Sequence, residues 1–185
     1  MSKNAVDLFP LLAPHLKSSG TDYCIGGAVA MSAHGFVRQT EDLDVFIKHT
    51  DTPKLLRALN KAKVNFATIA EPYHYAIIPS AKNLDHRIDI LCTSEELEMD
   101  AVEFPESATI DGQKVEVFPL TLLVATKARS DRPKDHDDVR RMYERGLFDV
   151  NEIIPVLKHY GEDKPKAMLR AILGEKVVPL KASKR

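Results

Sequence analysis

The sequence of 185 residues has almost no net charge and no long apolar run. Its 26 lysines and arginines are balanced by 27 aspartates and glutamates, which gives a formal net charge of −1. No overall field therefore draws the chain toward nucleic acid or a membrane surface. No apolar stretch approaches the ~20 residues that span a bilayer, and the N-terminus lacks the basic and apolar regions of a signal peptide. We expect a cytoplasmic protein that does not contact membranes.

Cysteine is also scarce, with two residues, Cys24 and Cys92, both in or beside predicted strands. In a cytoplasmic chain, two such thiols are expected to be reduced, half-buried structural residues rather than a disulfide. Basic residues cluster only in residues 181–185, which we expect to be a frayed end. The apolar fraction of 44% is ample for a core. The length predicts one domain, or one domain with an appended part.

The most informative stretch covers residues 23–47, which predict a strand, a glycine pair, a short helix, a turn and a second strand. Gly26 and Gly27 follow the first strand. Glycine at a strand end allows a tight turn and a close approach of the backbone to a ligand. The helix that follows would present free N–H groups and a positive dipole end to phosphate. This pattern is typical of a phosphate-binding turn.

The second strand begins with two acids, Asp42 and Asp44. Because side chains on a strand alternate between faces, both acids are expected on one face of the sheet. Two neighbouring carboxylates repel each other unless a cation lies between them, and oxygen ligands of this kind suit Mg²⁺. The structural alternative is that Asp42 is a turn residue and Asp44 an exposed strand residue.

The order of these residues resembles the nucleotidyltransferase superfamily, whose fold is shared by DNA polymerase beta and the minimal nucleotidyltransferases. The family pattern is an apolar strand, Gly-Gly or Gly-Ser, a helix, and Asp-x-Asp or Asp-x-Glu on the next strand; here it is Gly26-Gly27 and Asp42-Leu43-Asp44. Glycosyltransferases that use sugar nucleotides and phosphatases with an aspartyl nucleophile also carry Asp-x-Asp. Their acids follow an apolar strand, whereas here the apolar run comes after the acids.

A further detail of the stretch, Arg38-x-Thr40-x-Asp42, resembles the variant found in AbiEii-type toxins and related bacterial proteins. The resemblance implies an α/β (α+β) fold with a mixed sheet. The match covers roughly the first ninety residues, and we expect the nucleotidyltransferase catalytic core to extend over residues 1–118. A hairpin predicted at Asp111-Gly112 ends this core. From residue 119 the pattern is helical, so we expect residues 119–185 to form a helical bundle packed on the core.

A third acid, Asp89, lies within a predicted strand between Ile88 and Ile90. An acid in that position needs a partner because an unpaired buried charge is costly. In the superfamily a third acid comes from a strand beside the Asp-x-Asp strand, and the resemblance implies that Asp89 is this acid. The alternative is that Asp89 pairs with Arg87 or another base on an exposed sheet face.

In the helical part, Lys127 lies on the same predicted helix face as an apolar stripe. Its stem can follow the core edge while its ammonium group reaches beyond it. The segment from Lys127 to residue 139 resembles the Lys-x(n)-Arg-x-Lys-Asp-x-x-Asp segment of AbiEii-type proteins. The resemblance implies that Lys127 and Arg132 contact a triphosphate. Ordinary capping with surface charges is the alternative.

The same segment also predicts how the next helix begins. Asp131 is expected to cap it, with Pro133 in its first turn. Asp135 shares a helix face with two apolar residues and is therefore expected to turn inward and to orient Lys127.

Taken together, the resemblance implies a metal-dependent nucleotidyltransferase that moves a nucleoside monophosphate from a triphosphate such as ATP to a hydroxyl. Asp42, Asp44 and Asp89 would hold two Mg²⁺ ions, for which Mn²⁺ would substitute, and Asp89 would act as general base. Gly26 and Gly27 would cradle the phosphates. The acceptor stays open among tRNA, a protein and a small molecule. The AbiEii-type features imply a toxin with an antitoxin partner. The alternative is a non-catalytic nucleotide-binding or interaction module with the same fold.

Overall fold

The computed structural model describes residues 5–79 and 87–175. The chain divides into two compact units, Met1–Pro119 and Leu120–Arg185. The basic residues 181–185 lie outside the described residues, so the expectation of a frayed end there stays a prediction. Within the described part of the chain, no helix combines the length and the apolar character needed to cross a bilayer.

The first unit contains a seven-stranded sheet in its described residues. The strands are β1 Cys24–Ile25, β2 Leu43–Lys48, β3 Phe66–Ala70, β4 His74–Ile77, β5 Ile88–Thr93, β6 Glu106–Ile110 and β7 Gln113–Val117. Their order across the sheet is β3-β4-β5-β2-β1-β7-β6. The pairs β2–β5 and β1–β7 are parallel and the others are antiparallel. The predicted mixed sheet is confirmed.

Helices flank the sheet and make up the second unit. In the first unit they are α1 Ala13–Ser19, α2 Gly27–Ala33, α3 Thr52–Lys61 and α4 Glu96–Glu103, with 3₁₀ helices at Ala5–Leu11 and His49–Asp51. In the second unit they are α5 Leu120–Arg129, α6 Pro133–Glu144, α7 Val150–His159 and α8 Pro165–Leu173. Within this second unit, α5 packs against both α6 and α7, and α8 packs against α6 and α7.

Strand β2 shows how the sequence pattern divides the sheet into two faces. Leu43, Val45 and Ile47 are fully buried on one face. The alternate residues of β2 are half-buried on the other face. Apolar residues therefore direct one face of the sheet into the core, and the acids that alternate with them are left on the opposite, more open face.

The hairpin between β6 and β7 follows the sequence prediction. Asp111 and Gly112 have φ angles of 49° and 80°. Two consecutive residues with positive φ match the type I′ turn, whose twist agrees with that of the flanking strands. The hairpin ends the sheet, and the helical unit begins at Leu120.

The two cysteines are more deeply buried than the sequence predicts. Cys24 and Cys92 are both free thiols, exposed to 0% and 2%. Burial raises the pKa of both thiols above the usual value, so the protonated form persists and their reactivity is low.

Candidate active site

Three acids converge on the more open face of the sheet. Asp44 on β2 lies directly opposite Asp89 on the parallel strand β5, and Asp42 comes just before β2. One carboxylate oxygen from each acid lies within 4.8 Å of the others. Asp89 is 4% exposed, whereas Asp42 and Asp44 are half-buried. Three carboxylates at this separation are a donor set that fits a divalent cation such as Mg²⁺.

The local chain positions Asp42 before the strand begins. The Thr40 hydroxyl donates a hydrogen bond to a carboxylate oxygen of Asp42 and a weaker one, at 3.3 Å, to its backbone carbonyl. Thr40 belongs to the Arg-x-Thr-x-Asp pattern that the sequence singled out. Its hydroxyl therefore serves to orient the first acid of the pair.

The glycine pair lies against the second acid. Gly27, the first residue of α2, has φ +56°, and a Cβ added there would lie 1.9 Å from Oδ2 of Asp44. A Cβ at Gly26 would lie 2.5 Å from Cε2 of Phe46. The Gly26 N–H also donates to the backbone carbonyl of Asp44 at 2.9 Å. Gly27 thus lies against the Asp44 carboxylate and Gly26 against the Phe46 ring. Contact of either glycine with phosphate stays a prediction.

Replacing Gly27 with alanine is expected to weaken metal binding. A side chain at positive φ costs about 1–3 kcal/mol, and the new methyl group must also displace the Asp44 carboxylate. Changes that misorient a metal ligand typically cost about 10–100-fold in affinity. Calorimetric titration with Mn²⁺ measures this loss of metal affinity.

Gly20 supplies a matched control for this substitution. It has φ +62°, and no atom lies within 4 Å of an added Cβ. Gly20→Ala should lose a similar free energy of unfolding in urea while binding Mn²⁺ as the unsubstituted chain does. Equal Mn²⁺ affinity in Gly27→Ala and Gly20→Ala would show that Gly27 does not position Asp44.

Two bases hold the carboxylate of Asp89. Nε of Arg87 donates to both carboxylate oxygens at 2.9 Å, and Nε2 of His74 lies 2.8 Å from Oδ1. The side chain of Asp89 is 5% exposed and that of Arg87 37%. The pairing with Arg87 that the sequence left open does occur, but on a buried acid that also belongs to the three-acid cluster. Arg87 offsets part of the negative charge of the cluster and fixes the plane of the carboxylate.

His74 is a site residue that the sequence analysis missed as a partner of Asp89. It lies on β4, opposite Leu91 in the antiparallel register of β4 and β5, and Leu91 is on the same face of β5 as Asp89. Nothing in the local sequence gives the register of two strands, since it depends on how the whole sheet assembles.

A second charged cluster lies within the helical unit. Nζ of Lys127 on α5 is 2.8 Å from Oδ1 of Asp135 and 2.8 Å from Oδ2 of Asp138, both on α6. The Ser130 hydroxyl donates to the other oxygen of Asp135 at 2.8 Å. The expected inward turn of Asp135 toward Lys127 is confirmed. Asp138 was missed, although its position three residues after Asp135 puts it on the same helix face.

The remaining predicted residues of this segment lie at its surface. The side chain of Arg132 is 72% exposed, with Nε 3.8 Å from Asp135. The prediction that Asp131 caps α6 is wrong. The N-cap is Arg132, which makes no side-chain cap, and its backbone N–H donates to the Ser130 hydroxyl at 3.1 Å. Pro133 is the first residue of the helix, as predicted, and so fixes where the helix starts.

The pKa of Asp135 predicts how the helical unit responds to acid. Burial alone would raise this pKa, but the hydrogen bonds from Lys127 and Ser130 outweigh burial and hold it below its usual value. A lowered pKa in the folded state adds stability above the unfolded pKa of about 3.9. That stability is lost as pH falls through the folded pKa. The free energy of unfolding lost in Asp135→Asn should therefore be constant above about pH 5 and should shrink below pH 4.

Urea denaturation at a series of pH values measures this difference. Asp137, a half-exposed acid on the same helix, is the control, because Asp137→Asn should change stability little at any of these pH values. If the effect of Asp135→Asn were the same at pH 3 and pH 7, the carboxylate of Asp135 would not be stabilised by its partners.

Comparison with solved structures identifies the fold. No family model and no curated protein sequence matches this sequence significantly. The solution structure of the antibiotic-resistance factor ANT(2'')-Ia aligns with 90% of this chain and 95% of its own, with a TM-score of 0.57 and 16% identity. An antigenic nucleotidyltransferase-like protein from Paracoccidioides brasiliensis aligns with 95% of this chain and 97% of its own, at a TM-score of 0.54 and 18% identity.

A third similar structure is the lincosamide antibiotic adenylyltransferase LnuA with lincomycin bound. It covers 74% of this chain and 94% of its own, with a TM-score of 0.50 and 12% identity. At identities this low, similarity establishes the fold alone. A specific relation to AbiEii-type proteins is not shown by these structures.

Proposed function

We propose that this chain, which has the fold of the nucleotidyltransferases, transfers a nucleoside monophosphate from a triphosphate to a hydroxyl acceptor. The observation that carries the proposal is the convergence of Asp42, Asp44 and Asp89, with oxygens within 4.8 Å, on a sheet face beside Gly26 and Gly27. A structural role for all three acids would not require them to lie so close, because like charges in contact are destabilising.

The three carboxylates fit a site for Mg²⁺, with Mn²⁺ as a substitute, and we propose two ions. When bound, such ions stabilise charge on the attacking and leaving oxygens of an in-line phosphoryl displacement. Gly27 keeps the Asp44 carboxylate in place because a larger residue would displace it. Thr40 and Arg87 orient the other two acids through hydrogen bonds to their carboxylates.

Asp89 is the proposed general base. A carboxylate has about four lone-pair sites. Arg87 and His74 use two on Oδ1, and Arg87 uses one on Oδ2, so Oδ2 retains capacity for a further contact. In the proposed reaction the acceptor oxygen forms a bond to the α-phosphorus and the bond to the bridging α–β oxygen breaks. Pyrophosphate leaves and the hydroxyl proton passes to Asp89.

Lys127 and Arg132 are proposed to offset charge on the triphosphate, as the sequence resemblance implies. Two of the three ammonium donors of Lys127 already serve Asp135 and Asp138. Lys127 is therefore held in a fixed position rather than free to follow a ligand, and Arg132, which is exposed, has the greater freedom.

The donor we propose is ATP, and the acceptor a small molecule. The neighbours with the fold include the lincosamide antibiotic adenylyltransferase and ANT(2'')-Ia, the latter also solved with adenylyl-2''-tobramycin. The first name describes adenylyl transfer involving a lincosamide antibiotic, and the compound bound to the second joins an adenylyl group to the small molecule tobramycin. The role of a toxin with an antitoxin partner stays a prediction from the AbiEii-type resemblance, as does the cytoplasmic location.

A second candidate is a non-catalytic module that binds nucleotide. It is favoured by one observation, namely that Arg87 and His74 already occupy much of the Asp89 carboxylate. A chain that only binds nucleotide would need no base at this position. The two candidates make different predictions for the release of pyrophosphate.

The experiment that separates them uses ATP, GTP, CTP and UTP, each labelled at the α-phosphate, with Mg²⁺ and a fractionated cell extract. Metal-dependent label on an extract component, together with release of pyrophosphate, is expected for the wild-type chain. An Asp42→Asn, Asp44→Asn double variant should give neither. Triphosphate binding without labelled product in any fraction would favour the non-catalytic module.

A further inference from the structure

His74 and Arg87 contact the Asp89 carboxylate in different ways. Nε of Arg87 lies 2.9 Å from both oxygens, whereas the hydrogen bond of His74 runs from Nε2 to Oδ1, at 2.8 Å. An ionised carboxylate only accepts hydrogen bonds, so Nε2 carries a proton and donates it. Arg87 therefore engages the two oxygens alike, and the bond from His74 distinguishes one from the other.

The ring of His74 reaches Asp89 diagonally across two strands. In the register of β4 and β5, Ala76 lies opposite Asp89, and His74 lies opposite Leu91. Residues two apart on a strand share a face, so His74, Ala76 and Asp89 lie on the same face of the sheet. Diagonal neighbours of this kind are about 7–8 Å apart, which an aromatic side chain can span. Ala76, with its single methyl group, leaves room for the imidazole ring to cross.

The backbone beside His74 is tied to the strands on both sides of β4. The N–H of Tyr73 donates to the carbonyl of Ala70 on β3 at 2.7 Å, and the carbonyl of Tyr73 accepts from the N–H of Cys92 on β5 at 2.7 Å. The side chain of His74 is 23% exposed and that of Arg87 37%. Ordering an arginine is costly in side-chain entropy, whereas a short imidazole on an anchored backbone has little freedom to lose. His74 is therefore the more rigid of the two partners.

A hydrogen bond to Asp89 could either compete with a divalent ion or orient the carboxylate toward it. Two observations favour orientation. A carboxylate has about four lone-pair sites, and His74 takes one of them, on Oδ1. The strand order also sets β5 between β4 and β2, and β2 carries Asp44. His74 thus approaches Asp89 from the side opposite Asp44 and does not come between the two acids.

We propose that His74 is a positioning residue of the three-acid site. Its hydrogen bond holds Oδ1 of Asp89 on the β4 side and leaves Oδ2 for the ion and the acceptor hydroxyl. The role in catalysis rests on the proposed function, whereas the role in metal binding can be measured without any reaction. Hydrogen-bonding partners of metal ligands typically contribute about 10–100-fold to metal affinity or activity.

The first test compares substitutions at His74 by calorimetric titration of the full chain with Mn²⁺. Leucine has a similar bulk but no donor, whereas the side-chain amide of glutamine can donate an N–H to Oδ1 in place of Nε2. We expect Mn²⁺ affinity to fall about 10–100-fold in His74→Leu and to stay close to the wild-type value in His74→Gln. A higher affinity in His74→Leu would mean that His74 competes with the ion, and would overturn the proposal.

A second test separates positioning from a general loss of structure. In an Asp89→Asn background, His74→Leu should cause no further loss of Mn²⁺ affinity, because His74 acts through the Asp89 carboxylate. The same loss with and without that carboxylate would overturn the proposal. If His74→Leu does not fold, His74→Asn replaces it, since asparagine is polar but too short to reach Oδ1.

Ile77 supplies the matched control on the same strand. It is 4% exposed and lies on the face of β4 opposite to His74. Ile77→Val should lower the stability measured in urea while Mn²⁺ affinity stays at the wild-type value. A loss of Mn²⁺ affinity in Ile77→Val as large as in His74→Leu would show that any weakening of β4 disturbs the site, and would overturn a specific role for His74.

Transfer assays distinguish this proposal from the proposed function. At saturating Mn²⁺ we expect kcat to fall in His74→Leu while KM for ATP changes little, because His74 acts on Asp89, the proposed base. Wild-type kcat and wild-type Mn²⁺ affinity in His74→Leu would overturn the positioning role and leave nucleotidyl transfer standing. An Asp89-dependent loss of Mn²⁺ affinity, in a chain that labels no acceptor, would contradict the transferase function and retain the positioning role.

Discussion

Replacing Asp89 with asparagine is expected to abolish nucleotidyl transfer while the chain stays folded and still binds triphosphate. The substitution keeps the shape of the side chain but removes the charge and the site that accepts the proton. Loss of a general base costs about 10²–10⁴-fold in rate, and loss of a metal ligand adds to this. Asp42 and Asp44 remain as ligands, so the affinity for triphosphate with Mg²⁺ should fall far less than kcat.

The packing around Asp89 makes this variant a fair test. Arg87 would lose its charged partner, but its side chain is 37% exposed and can be solvated. His74 can still form a hydrogen bond with the amide. Asp51→Asn is the control, because this acid lies in a 3₁₀ helix outside the cluster and pairs with Lys54 at 3.0 Å. A folded Asp89→Asn protein that transfers at the wild-type rate would contradict the mechanism.

Replacing Lys127 with methionine is expected to destabilise the helical unit strongly. The side chain of Lys127 is 8% exposed, and those of Asp135 and Asp138 are 13% and 4% exposed. Methionine keeps most of the length and leaves two buried carboxylates without their shared cation. Removing one partner from a buried ion pair costs about 3–5 kcal/mol. Urea denaturation measures the change in the free energy of unfolding.

A double substitution tests the cause of that loss. Lys127→Met combined with Asp138→Asn removes the most buried of the two negative charges, and we expect it to recover part of the lost stability. The double variant is also needed for the binding experiment, because a role of Lys127 in triphosphate binding can be tested only in a variant that folds. If Lys127→Met were as stable as the wild type, the cluster would not stabilise the unit.

A stable Lys127→Met, Asp138→Asn protein would allow the binding role to be measured. If Lys127 contacts the outer phosphates, affinity for ATP should fall much more than affinity for AMP. Equal losses for both nucleotides would assign Lys127 a structural role alone.

The sequence by itself determined the parts of the site that depend on local periodicity. Alternation along β2 places Asp44 on the face opposite Leu43 and Val45 whatever the rest of the sheet does. Asp42, one residue before the strand, lies close to Asp44. A helical repeat likewise places Asp135 on the inward face of α6, where it meets Lys127. The glycine pair was recognisable from its position between a strand and a helix, and Asp111-Gly112 from the turn that it favours.

Where local signals compete, the sequence was less informative. Apolar residues at helical spacing in residues 5–18 predict one helix, but the structure has a 3₁₀ helix, Ala5–Leu11, followed by α1 from Ala13. Pro10 lies inside the first segment and Pro14 in the first turn of the second, and proline removes a backbone donor from an α-helix interior. The cap assigned to Asp131 failed for a related reason, because Pro133 is the first residue of α6 and makes Arg132, not Asp131, the N-cap.

The tertiary structure alone decided which distant groups join the acids. The parallel register of β2 and β5 sets Asp89 opposite Asp44, and the antiparallel register of β4 and β5 brings His74 to the same carboxylate. It also decided that Gly27 lies against the Asp44 carboxylate and Gly26 against the Phe46 ring. Strand register is fixed by the packing of the whole sheet on its core rather than by neighbouring residues. A single strand therefore specifies the face on which its acids lie, and the assembled sheet specifies what they meet there.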